Sequence, residues 1–164
     1  MDIWIWAENL QNTIQPEIAL VFVSILPFIE LRGAIPIGIL AYKLPVEYVF
    51  AVCVITNIGI VPIILFWLNY LLDYFLRVNV IRYFFEISVV RTRKKTENLV
   101  KKYGALGLTL FVAIPLPVTG AWTGSLAAFI FGIEQRKAIL SIGLGVFIAG
   151  TIVTLSTLGI ISLF

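Results

Sequence analysis

The sequence predicts an all-α integral membrane protein organised as an inverted repeat. Each half is a re-entrant helical hairpin followed by a transmembrane helix, with an N-terminal interfacial helix and a cytoplasmic amphipathic segment added. Three observations predict it. Hydrophobic residues make up 60% of the 164 and charged residues 13%, with a mean hydropathy of +1.04, whereas soluble domains average about half apolar and about a quarter charged. Tyr48 to Leu72 and Ala138 to Phe164 contain no Asp, Glu, Lys or Arg, and a bilayer crossing needs about 20 such residues. Two further apolar runs are shorter and are broken by proline, glycine and, in one case, charge.

Residues 1–16 carry Trp4 and Trp6 beside Asp2, Glu8 and Asn9, the mixture of a helix lying at the membrane interface. The stretch has neither a basic leader nor a small-residue cleavage site, so it is expected to stay on the mature protein. Residues 17–41 form the first hairpin. Its apolar run, Ile18 to Ile29, is 12 residues, about 18 Å as a helix and too short to cross. It then meets Pro27, Glu30, Arg32, Gly33 and Pro36, a cluster that a lipid-facing helix does not carry because proline breaks the ladder and charge at depth is costly. The irregular turn is expected over Glu30 to Gly38. Residues 46–76 are the first transmembrane helix, with Asn57, Gly59 and Pro62 predicting a kink.

Residues 77–103 hold eight basic side chains against Glu86 and Glu97 and read as the cytoplasmic segment. Residues 104–131 repeat the first pattern: an apolar run, the breakers Pro115, Pro117 and Gly120, and a small-residue return arm through Gly124, Ser125, Ala127 and Ala128. This is the second hairpin. After a polar turn, residues 138–164 form the second transmembrane helix, with Ser141, Gly145 and Ala149 on one face for close helix approach. Hairpin, turn and crossing thus occur twice, and an odd number of crossings per unit inverts the second unit. In that topology ten of the twelve basic residues lie inside and only Lys43 lies in an outer loop, as the positive-inside rule requires. The whole chain is one membrane domain, multi-pass in the cell membrane.

Several chemistries are disfavoured. Histidine is absent and Cys53 is the single cysteine, so the usual general base, zinc ligand and nucleophile partner are missing. Neither an enzyme nor a cofactor or metal site is expected. No base-stacking or groove-reading motif accompanies the basic run, which argues against nucleic acid; membrane lipids, including anionic ones, are the expected neighbours.

The site candidates lie at the two breaks. Non-helical backbone at membrane depth is tolerated where protein or a water-filled cavity satisfies it, so Glu30, Arg32, Gly33 and Pro36 should line a cavity. Glu30 could carry a proton and Arg32 an anionic head group; alternatively the two pair with each other at the hairpin tip. In Pro115-Leu116-Pro117-Val118-Thr119-Gly120-Ala121-Trp122-Thr123-Gly124, prolines stop one half-helix and Thr119 or Thr123 caps the next, whose N-terminus favours an anion. Trp122 walls the cavity or anchors at the interface. Asn57 contacts substrate or ties two helices together.

The segments Glu30-Leu31-Arg32-Gly33-Ala34-Ile35-Pro36 and Pro117-Val118-Thr119-Gly120-Ala121-Trp122-Thr123-Gly124 resemble the hallmarks of the small multi-drug export protein family, a likeness covering nearly the whole chain. More distantly the chain is similar to the DedA/VTT-like superfamily. That resemblance implies paired re-entrant hairpins and proton-linked transport, or movement of polyprenyl phosphate and other lipids. The superfamily's acidic residue of the first hairpin matches Glu30, while the arginines typical of its second hairpin are absent between Pro115 and Gly124. The expectation is a transporter, proton-linked or facilitative, of an amphiphilic anion such as a polyprenyl phosphate or another lipid. The alternatives are a small multidrug or cation exporter and a membrane structural or assembly protein that moves nothing. Two full spans are few for a sealed pathway, so a homodimer is expected.

Overall fold

The computed structural model describes residues 15–71, 79–115 and 119–161, and the N-terminal segment with Trp4 and Trp6, together with Pro117, lies outside them. The described residues form helices and no strand. Helix α1 is Pro16–Ile25, and α2 is Glu30–Pro36, running on as a π-helical turn, Ile37–Ala41. Helix α3 is Val46–Phe66, continued by a second π-helical turn, Trp67–Leu71. Then follow α4 (Asn79–Tyr103), α5 (Ala105–Ala113), α6 (Ala121–Ile130) and α7 (Gln135–Ile161).

The two short-helix pairs break by one device. Leu26 turns extended, with φ −61° and ψ 131°, immediately before Pro27, and ends α1. Ile114 does the same, with φ −74° and ψ 116°, before Pro115, and ends α5. A residue preceding proline is pushed out of the helical region by its Cδ. In the first pair this moves the turn. The irregular backbone expected over Glu30 to Gly38 lies instead at Leu26 to Ile29, and Glu30 to Pro36 is helical. Pro36 is accommodated because it ends α2 and the chain widens at once into the π-helical turn, where a missing i→i−4 bond is least disruptive.

Both pairs fold back on themselves and dock on the long helix that follows. A Cβ on Gly38 would stand 3.0 Å from Leu20 of α1 and 2.8 Å from Val49 of α3, and one on Gly124 would stand 2.7 Å from Val112 of α5 and 3.3 Å from Ile142 of α7. The bare glycine backbone lets each return arm touch both partners. Polar ties repeat as well. Asn57 of α3 donates through Nδ2 to the Ser24 carbonyl of α1 at 3.0 Å, and Thr109 of α5 donates to the Ser141 carbonyl of α7 at 3.0 Å. Asn57 therefore serves as a buried helix-to-helix tie.

Helices α3 and α7 are long and apolar enough to cross a membrane, with mean hydropathies of 2.6 and 2.3 over their spans. They pack on each other, and α5 fills the other side of α7. Val49, Val61, Leu108, Val112, Ile142 and Val146 form the buried interior. Their outward faces are apolar too: Ile55, Ile63, Leu140 and Leu155 are all 60% or more exposed, at 68, 63, 69 and 64%. Helices apolar all round call for a hydrocarbon surrounding, and the protein is a membrane protein on that ground. Helix α4 differs, carrying Arg82, Arg91, Arg93, Lys94 and Lys95 exposed along its length.

Candidate functional site: an ion pair held between two helix breaks

Glu30 opens α2 immediately after the first break, and its φ of +49° is left-handed. A non-glycine residue there costs about 1–3 kcal/mol and persists when its surroundings over-determine it. They do. The Glu30 carboxylate is buried, 4% exposed for the residue, and accepts from Arg32 Nη1 at 2.7 Å through Oε2. Its other oxygen accepts from the backbone N–H of Trp122 at 3.2 Å.

That second bond joins the two breaks. Trp122 lies in the first turn of α6, where backbone N–H groups have no helical acceptor, and Gly120 at the cap position has no side chain to supply one. The carboxylate of Glu30 therefore caps α6 from outside, with the favourable polarity of an anion at a helix N-terminus. Thr123 completes the cap by accepting from Gly120 N at 2.9 Å. The anion expected at this helix start is thus, in this state, the protein's own carboxylate.

Arg32 reaches across in the opposite sense. Its Nη2 donates to the Thr119 carbonyl, to Thr119 Oγ1 at 3.2 Å and to the Val112 carbonyl at 3.2 Å. Thr119 Oγ1 in turn donates to the Ile114 carbonyl at 2.9 Å. Arg32 Nε is buried and has no hydrogen-bond partner among the described residues, so one guanidinium donor is left uncommitted. Gly120 sits over the pair, and a Cβ there would collide with the Glu30 carboxylate and the Arg32 guanidinium. A cavity of about 380 Å³ opens on this arrangement, walled by Pro27, Phe28, Glu30, Arg32, Gly33 and Pro115.

A family model described as "Putative small multi-drug export protein" matches residues 30–152. The chain belongs to this family. No curated protein and no solved structure matches it. The family match opens on Glu30 and takes in Arg32, Thr119, Gly120, Trp122 and Thr123. Small multi-drug export proteins are, by that description, transporters in general terms.

Of the residues singled out in the sequence, Glu30, Arg32, Thr119, Gly120 and Trp122 meet directly, with Thr123 one bond behind and Gly33 and Pro115 on the cavity wall. Pro36 ends α2 and Asn57 binds α1, so neither makes a bond to the pair, and Pro117 lies outside the described residues. Sequence reading missed the carbonyls of Val112 and Ile25; the latter accepts from Trp122 Nε1 at 2.9 Å and fixes the indole. Among the described residues no group of three His, Cys, Asp or Glu side chains is placed to hold a metal ion.

Proposed function

We propose that the protein is a membrane transporter whose gate is the Glu30–Arg32 pair, clasped between two hairpins that enter the bilayer from opposite faces as an inverted repeat. One observation carries this reading: both charges of the first break take their remaining partners from the second break. A path between the hairpins opens only when those bonds let go. Two events release them. A proton on Glu30 removes the charge that holds Arg32 and the α6 N-terminus, and an anion competing for the same donors displaces the carboxylate.

The two events assist each other. Protonated Glu30 leaves a guanidinium and a helix N-terminus facing the cavity, a ready anion site, and an anion bound there favours the neutral acid. Proton and anion binding are therefore coupled with positive sign and by the same factor in each direction. A lipophilic anion, such as a polyprenyl phosphate or another anionic lipid, suits a cavity with Arg32 at its back and Pro27, Phe28 and Pro115 at its sides. The family's description names multi-drug export, which supports a second reading, a drug exporter; there Glu30 would release Arg32 and hold a cationic substrate.

Reconstitution into liposomes separates the two. Purified protein is given a fluorescent anionic lipid or a cationic dye, with and without a proton gradient, beside Glu30→Gln and Arg32→Ala. Gradient-dependent movement of the anion, lost in both variants, is expected; movement of the dye alone favours the drug reading, and equal flux with and without protein refutes a transporter. Orientation is checked in a Cys53→Ser background with cysteines at Lys43 and Arg136. A membrane-impermeant thiol reagent should reach position 43 only from outside and 136 only from inside, and same-side labelling rejects the inverted arrangement.

A further inference from the structure

A second cavity, also about 380 Å³, lies beyond Pro27 and Phe28, which line both. Its walls are mostly apolar: Ile64, Trp67 and Leu68 from α3 and its π-helical turn, Phe85 from α4, and Trp122 and Leu126 from α6, with the hydroxyl side chains Ser88, Thr92 and Thr123 between them. It adjoins a further apolar hollow along Ile60, Ile63 and Ile64 that shares Trp67 and Trp122. Ile63 is 63% exposed on the outer face of α3, so the groove opens sideways where hydrocarbon would lie. From Ile60 to Leu68 it follows about 12 Å of helix.

Among the described residues, one charged side chain lines this groove, Arg91 of α4. Among the described residues, the acids of α4 and of the clasp are engaged elsewhere: Glu86 pairs with Arg82 at 2.9 Å, Glu97 with Lys101 at 2.5 Å, and Glu30 with Arg32. Arg91 makes no ion pair among the described residues. An apolar groove open to the membrane, with a single uncompensated guanidinium at its edge, has the charge and polarity to take a molecule with one apolar tail and an anionic head.

We propose that this groove is a binding site for an anionic amphiphile drawn from the membrane, its tail between Trp67, Trp122 and Leu126 and its head on Arg91. The site is a loading station, separated from the Glu30–Arg32 clasp by Pro27 and Phe28. Phe28, 89% exposed, is the partition a molecule passes between the two cavities. The binding step stands on the groove alone; passage onward rests on the transporter reading above.

The test uses Trp67 and Trp122, which both line the groove, as reporters, with Trp4 and Trp6 replaced by Phe, in nanodiscs of zwitterionic lipid. Two probes share one brominated alkyl tail and differ in head, phosphate or trimethylammonium. Quenching by the phosphate should set in at about fivefold lower mole fraction, the scale of one basic contact at a membrane surface. Arg91→Gln should erase that preference and Arg91→Lys retain it. Equal quenching by the two probes overturns the site, as does a preference that survives Arg91→Gln. If the preference survives Arg91→Gln but vanishes in Arg32→Gln, the head lies at the clasp, which refutes the loading station and leaves the clasp reading standing. A preference governed by Arg91 in a protein that moves nothing in liposomes does the reverse.

Discussion

The two hairpins break alike and meet at one place, yet they bring different chemistry to it. Each first arm stops where a residue is forced extended before a proline, at Leu26 and at Ile114. The first hairpin then contributes side chains, the Glu30 carboxylate and the Arg32 guanidinium. The second contributes mainly backbone: the carbonyls of Val112 and Thr119 and the N–H of Trp122. Backbone groups freed by a helix break are costly in hydrocarbon, and so are charges. Each hairpin carries one of these liabilities and supplies the remedy for the other. Hairpin one should therefore be sensitive to side-chain substitution, and hairpin two only where a substitution blocks access to its backbone.

The sharpest way to break this comparison is inside hairpin one. Glu30→Ala leaves a buried guanidinium uncompensated and strips the cap from α6, and removing one partner of a buried pair costs about 3–5 kcal/mol. Arg32→Ala should cost less, about 1–3 kcal/mol, because the remaining carboxyl can take a proton whereas arginine stays charged. Thermal unfolding of the detergent-solubilised variants ranks them. A larger loss for Arg32→Ala would mean that the carbonyls of Val112 and Thr119, rather than Glu30, hold the arginine in place.

Gly120 is the position in hairpin two where the backbone rule predicts a large effect. A methyl there meets the Glu30 carboxylate and the Arg32 guanidinium, and overpacking of this kind costs about 1–3 kcal/mol. Gly59, in the middle of α3 with nothing within 4 Å of its would-be Cβ, is the matched control. Gly59→Ala should be neutral or stabilise by about 0.5–1 kcal/mol, the ordinary helix gain. Similar unfolding temperatures for the two alanine variants would show that the tips do not close on each other as described.

The same contrast explains what could be read from the sequence. The two long helices follow from runs without charge, and the breaks from apolar stretches too short to cross, because both properties belong to side chains. Gly33 and Pro36 look like breakers in the sequence, but the π-helical turn after Pro36 absorbs the proline, and the chain reverses at Leu26 to Ile29 and the left-handed Glu30. Glu30 and Arg32 were legible as charges with no solvent to hold them. Their partners were not, because every residue has a carbonyl and nothing in Val112 or Ile25 marks theirs as acceptors. Arg91 was hidden for a different reason: in a run of eight basic residues, only the packing of α4 against α6 sets one of them beside an apolar groove.

Thr119 gives a smaller effect than Glu30 or Gly120 and the finest discrimination. Its carbonyl and its hydroxyl both accept from Arg32, so the residue carries the side-chain and the backbone account at a single position. Thr119→Val keeps shape and carbonyl and removes only Oγ1, with its bonds from Arg32 Nη2 and to the Ile114 carbonyl. If backbone chemistry governs hairpin two, this change costs about 1 kcal/mol and leaves any gradient-dependent flux within about twofold of the unmodified protein, since the guanidinium keeps the carbonyls of Thr119 and Val112. Glu30→Gln in the same liposomes should abolish that dependence. A valine variant as impaired as Glu30→Gln would place the working contact on the threonine hydroxyl. The second hairpin would then be a side-chain element like the first.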